Sequence, residues 1–169
     1  IVDSNSGEVI FEIARKGTVC AVAWSPDGSR VLVGGDDCKA AIVDATSSEV
    51  LIEILRKGKV HAVAWSPDSS RVLVGGGDKN AAIVDSTSGN ALVEIVREGG
   101  IVRAVAWSPD GSRVLYGAAG GLWVRDLPDG TPRMISGDDE LAYYPSWHPD
   151  GRRVVPARVP LRRCRPPSP

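Results

Sequence analysis

Ala21-Val-Ala-Trp-Ser-Pro-Asp-Gly-Ser-Arg-Val-Leu32 decides the fold, because the chain contains this stretch more than once. It recurs unchanged from Ala104 to Leu115, and from Ala62 to Leu73 with Ser69 in place of the glycine. A decayed copy reads Tyr144-Pro-Ser-Trp-His-Pro-Asp-Gly-Arg-Arg-Val-Val155. The anchoring tryptophans Trp24, Trp65, Trp107 and Trp147 lie 41, 42 and 40 residues apart. A period of that size marks a tandem array in which each copy buries its apolar face against its neighbours.

A second word keeps the same period. Ile1-Val-Asp3 matches Ile42-Val-Asp44 and Ile83-Val-Asp85, each followed by a turn rich in Ser and Thr. Beyond those turns stand Val9-Ile-Phe-Glu-Ile13, Val50-Leu-Ile-Glu-Ile54 and Ala91-Leu-Val-Glu-Ile95. β-Branched residues dominate and Gly or Pro-Asp breaks come every few residues, so a helical repeat fits poorly.

One period reads as four short strands. Strand a covers about Val19–Trp24 and turns at Ser25-Pro-Asp-Gly28, where Pro presets φ and Gly accepts a positive one. Strand b covers about Arg30–Val33, strand c about Ala40–Asp44 and strand d about Val50–Ile54. Four antiparallel strands in roughly 40 residues make one blade of an all-β propeller.

These residues carry a family likeness. Val-Ala-Trp, then Ser-Pro-Asp-Gly, then a b-strand, an Asp-containing turn and a c-strand closing on Asp resemble the WD repeat over residues 1–155. The Pro-Asp-Gly word, as in Trp147-His-Pro-Asp-Gly151, is also similar to TolB-like propellers, a neighbouring alternative; the Asp-x-x-Ser/Thr closing strand c favours the WD repeat. In the WD family a His, a Ser, a Trp and a turn Asp form a hydrogen-bonded tetrad. Here the Trp-Asp pair has Val43 and Val84 in place of its Trp, Val33 and Val74 replace the Ser, and the turn acids Asp37 and Asp78 remain. An Arg15–Asp37 or Arg56–Asp78 ion pair is therefore the expected substitute. Blade cores are otherwise expected to rest on apolar packing, with Trp24, Trp65, Trp107 and Trp147 buried and Asp44 and Asp85 holding turns.

Three blades look complete, at about 19–55, 60–96 and 102–136. The N-terminus offers strands c and d only, and the C-terminal copy strands a and b only. Joined, they would make a fourth blade. Seven is the more frequent number for such rings, so the chain reads as a partial propeller; a small closed ring and two chains completing a ring are the alternatives. Residues 156–169 hold Arg and Pro with little to bury and read as a disordered tail.

Composition narrows the function classes. A net charge of −1 speaks against the whole chain binding nucleic acid, leaving only weak affinity through the basic tail. No apolar run approaches the roughly 20 residues of a membrane helix. Cys20, Cys38 and Cys164 with His61 and His148 give no metal-ligand spacing, and neither a nucleophile elbow nor a phosphate loop occurs. No cofactor and no metal are expected, and no catalysis. The sparse cysteines suit a reducing, cytoplasmic setting, although a chain that starts at Ile1 inside a repeat leaves a lost signal peptide open.

The remaining candidates lie in loops on one face. Arg15, Lys16, Arg56, Lys57 and Arg97 recur in the d–a loops, and Lys39 and Lys79 follow the b–c turns. They are expected to form a basic rim for acidic peptides or other protein domains, as the resemblance to WD-repeat scaffolds implies. A structural arc within a larger sensor or assembly protein is the alternative.

Overall fold

The computed structural model describes residues 1–96, 100–118, 120–137 and 143–157, and every regular element among them is a β-strand. The first sheet comprises β1 (Val19–Trp24), β2 (Arg30–Gly35), β3 (Lys39–Asp44) and β4 (Val50–Leu55). The second comprises β5 (Val60–Trp65), β6 (Arg71–Gly76), β7 (Asn80–Asp85) and β8 (Ala91–Val96). The third comprises β9 (Ala104–Trp107), β10 (Arg113–Ala118), β11 (Gly121–Asp126) and β12 (Arg133–Ser136). Each is an antiparallel meander in chain order, and the pair β13 (Tyr143–Trp147) and β14 (Val154–Ala157) follows. The strands expected within the three complete repeats are all present, c starting one residue earlier and b and d running one or two residues further, while the N-terminal c and d segments pair only through a single bridge.

Register repeats with the sequence. Trp24 faces Val31, Val31 faces Val43, and Val43 faces Val50 across the first blade. Trp65, Val72, Val84 and Ala91 repeat that row in the second. The a–b turn is closed by its own side chains: the Ser25 hydroxyl donates to Asp27 at 2.6 Å and accepts from the Arg30 amide at 2.9 Å. Its last position is left-handed, with φ of 72° at Gly28 and 70° at Gly111. The second blade puts Ser69 there at φ 59°, and its hydroxyl accepts from the Asp27 amide of the blade before.

The apolar core lies between blades. Leu32, Ile42 and Ile54 of the first sheet meet Val60, Trp65, Val72 and Val74 of the second. Leu73, Ile83 and Ile95 meet Val102, Trp107, Val114 and Tyr116 in the same way. The third junction is smaller, with Leu115, Leu122 and Val124 against Trp147 and Val154. Close approach requires bare backbone on β6, where a Cβ on Gly75 would lie 2.6 Å from the Val102 methyl. Gly34 meets Val60 likewise.

The sequence word Arg30 supplies a contact its reading did not foresee. Arg30 stacks over the Trp65 ring at 4.7 Å, Arg71 over Trp107 at 4.7 Å, and Arg113 over Trp147 at 4.8 Å. Each arginine thus caps the tryptophan of the following blade, a cation–π contact. The same arginines donate to a turn carbonyl of that blade: Arg30 to Ser69, Arg71 to Gly111 and Arg113 to Gly151.

Burial of the tryptophans corrects one expectation. Trp65 and Trp107 are 7% and 8% exposed, but Trp24 is 53% exposed. A tryptophan here is buried by the blade before its own, and no complete blade precedes β1. The ends bear out the partial propeller over the small closed ring. Residues 1–11 form a hairpin with a Val2–Val9 bridge, its turn bonded Asp3 N–H to Glu8 carbonyl just as Asp44 bonds Glu49. That hairpin does not join β13–β14, which is a separate two-stranded sheet. Among the described residues the blades form an open arc. β14 extends to Ala157, and residues 158–169 of the tail lie outside the described residues.

Candidate functional site

The d–a loops fold against the b–c turns of the next blade through charge. Arg15 meets Asp37 at 2.9 Å and Arg56 meets Asp78 at 2.8 Å, with both arginine side chains 7% exposed. Arg56 also bonds Glu94 at 2.9 Å, and Arg15 donates to the Lys39 carbonyl. These are the ion pairs expected in place of the tetrad. Their burial removes Arg15 and Arg56 from the basic rim, because a guanidinium spent on an internal carboxylate has little left for a partner. Lys39 bonds Glu53 at 2.9 Å. Lys16, Lys57 and Lys79 remain exposed, and Arg97 lies outside the described residues.

The rim's acids are consumed in the same way. Asp36 accepts from the Thr18 amide at 2.7 Å and faces Lys59 across the blade junction at 3.6 Å. Asp37 also accepts from the Lys39 amide, and Asp78 from the Asn80 amide. Such a turn leaves Asp36 and Asp37 no free pair of carboxylates for acid–base chemistry.

On the opposite turns the aspartates act as local acceptors. Asp44 takes the Thr46 and Ser47 amides at 2.8 Å each, and Asp85 takes those of Thr87 and Ser88. These bonds favour the ionised form, so both carboxyls titrate below their ordinary value, led by Ser47 and Ser88 respectively. In the a–b turns the Ser66 and Ser108 hydroxyls hold Asp68 and Asp110 at about 2. Every one of these shifts stabilises a turn.

A recess of about 380 Å³ opens where the innermost strands converge. Its walls include Cys20, His61 and Arg103 together with Val22, Val63 and Val105. From Val19 to Leu32 and in both counterparts, the copies differ at only two places: the Gly28/Ser69/Gly111 turn, and Cys20/His61/Arg103. Three chemically distinct side chains therefore stand at one register position around one recess. A Cβ at Gly77 would lie 3.7 Å from His61 Nε2, which sets the recess beside the b–c turns and their lysines. The sequence reading missed this site, since the strand looks apolar and small if its single variable position is skipped. Comparing the copies for their differences would have found it.

Chemically, the recess offers a guanidinium, an imidazole and an exposed thiol on an apolar floor. That set can donate hydrogen bonds to carboxylate, phosphate or carbonyl oxygens. Among the described residues, no group of three His, Cys, Asp or Glu is placed to hold a metal ion. No helix there is long and apolar enough to cross a membrane.

Comparison with solved structures agrees with this architecture. A chain of the "Crystal Structure of Mitotic Checkpoint Complex" is similar with a TM-score of 0.75 and 27% identity, over 86% of this chain and 47% of that one. The chain thus spans about half the length of that structure. The family described as WD domain, G-beta repeat matches residues 7–44. The fold is an arc of WD-repeat β-propeller blades. The family described as Eukaryotic translation initiation factor eIF2A matches residues 41–163, most of the sequence, and the chain belongs to it. No curated protein matches the sequence.

Proposed function

We propose that the arc is a non-catalytic docking platform that takes an extended acidic segment of another protein across the lysine rim and into the axial recess. The observation that carries this reading is the divergence of otherwise identical strands at Cys20, His61 and Arg103, all lining one recess. Residues that serve the fold are repeated; residues that meet a partner differ, because the partner is not itself a repeat. Lys16, Lys57 and Lys79 are exposed in the d–a loops and b–c turns, while the acids Asp37 and Asp78 beside them are paired inside the fold. WD-repeat propellers commonly bind proteins, and a translation initiation factor family accommodates a non-catalytic member of a larger assembly.

Fluorescence anisotropy with a labelled Asp/Glu-rich peptide tests the reading. Saturable binding that weakens with salt is expected, and Arg103→Glu should weaken it at least about tenfold, roughly 1.4 kcal/mol. A peptide that does not bind, or binds Arg103→Glu as well as the unmodified chain, contradicts it.

A further inference from the structure

The third blade junction carries arginine at two places where the first two junctions have uncharged side chains. Register fixes the comparison. Ile42 faces Ile52 on β4 and Ile83 faces Val93 on β8, whereas Val124 faces Arg133 on β12. Ile52 and Val93 pack against the apolar cores of their own junctions. In the a–b turn, Arg152 holds the place of Ser70 and Ser112. A junction built three times shows what it needs. An aliphatic side chain and a serine close it twice, so packing the blades calls for no charge at either place.

Arg133 and Arg152 meet Arg113 around a recess of about 290 Å³, with Val124, Ile135 and Trp147 in its wall. Arg113 is already fixed, stacked on the Trp147 ring at 4.8 Å and donating to the Gly151 carbonyl. Among the described residues, no carboxylate pairs with any of these three side chains. Asp150, in the same turn as Arg152, is taken by Arg153 at 2.9 Å and His148 at 3.1 Å. Three like charges around one recess repel, and an anion between them turns that repulsion into attraction. The recess lies at the a–b turn end of the strands, away from Lys16, Lys57 and Lys79 at the other end.

We propose that this recess binds a phosphate monoester, with its oxygens among Arg113, Arg133 and Arg152 and its organic group against Ile135 and Trp147. A carboxylate brings one charge and two oxygens, which a single guanidinium satisfies as a bidentate pair. A phosphate monoester brings three terminal oxygens and nearly two charges at pH 7, a better match for three guanidinium groups. Ile135 is 39% exposed, so the wall offers apolar surface to the carbon side of an ester, which the free ion cannot use.

Isothermal titration of the 169-residue chain with phenyl phosphate and with inorganic phosphate tests this. Phenyl phosphate should saturate one site with a Kd below about 1 mM, weaken as salt is added, and bind at least about threefold more tightly than inorganic phosphate. Arg133→Ile and Arg152→Ser restore the residues of the first junction. Each should lower the affinity about tenfold while the chain melts no earlier than the unmodified protein. No saturable binding, equal affinity for inorganic phosphate, or affinity kept in both variants would each overturn the proposal. An earlier melt in both variants would show instead that the arginines serve the junction, and would overturn it too. None of these readouts involves the acidic peptide, so the docking reading stands or falls separately.

Discussion

The guanidinium of Arg30 lies 4.7 Å from the centre of the Trp65 ring, one blade further along the chain. The indole of Trp65 in turn donates to the Ala23 carbonyl at 3.1 Å, so the first blade grips the second from both sides. This contact explains why the repeated word holds its arginine and tryptophan together. Either residue in one copy serves the copy beside it.

Tryptophan truncation should therefore depend on position. Trp65→Ala or Trp107→Ala leaves a cavity between blades and is expected to cost about 3–5 kcal/mol. Trp24→Ala should cost about 1 kcal/mol or less when measured at high dilution, since its ring is half exposed. Chemical denaturation of the three variants gives the comparison.

Removing one side of a loop ion pair should be expensive. Arg56 and Asp78 are each 7% exposed, and Asp78→Ala leaves the buried guanidinium with only the half-exposed Glu94 as its carboxylate, at a cost below the about 3–5 kcal/mol of a fully unpaired buried charge. Replacing both at once, as Arg56→Met with Asp78→Leu, should recover most of that loss. A double variant no more stable than Asp78→Ala would show that the guanidinium makes other contacts of equal weight.

Close blade approach sets a third expectation. Gly75→Ala puts a methyl 2.6 Å from the Val102 side chain, and the junction must open to admit it. A loss of about 1–3 kcal/mol is expected from thermal unfolding. Gly111→Ala makes no such clash and should cost only what its positive φ demands.

Acid should weaken the turns in a defined window. Asp68 and Asp110 titrate at about 2 in the fold, against an ordinary 3.8, mainly because Ser66 and Ser108 hydroxyls bond the carboxylates. A folded pKa below the unfolded one means stability fully present above about pH 4 and lost as pH falls through about 2. The thermal midpoint should hold down to about pH 4 and drop below it. Ser108→Ala should bring the Asp110 carboxyl back toward 3.8 in an NMR titration.

Much of the fold was legible because one sequence word was written several times. Period, turn chemistry and β-branched runs located the strands, and the loss of the tetrad residues pointed to Arg15–Asp37 and Arg56–Asp78. Exposure was less legible. Trp24 and Trp65 share a local sequence, but a tryptophan is buried by the neighbouring blade, which lies a whole period away. Arg15 and Arg56 looked like rim charges for the same reason, since only the fold brings Asp37 and Asp78 to them. The axial position failed differently: repetition drew the eye to what the copies share, and Cys20, His61 and Arg103 are what they do not.

The central claim is that the copies stand side by side, each tryptophan shielded by the blade before it. Hydroxyl-radical footprinting at sub-micromolar concentration, read by mass spectrometry, tests it directly. The account predicts rapid oxidation of Trp24 and protection of Trp65 and Trp107. Equal oxidation of all three would contradict it.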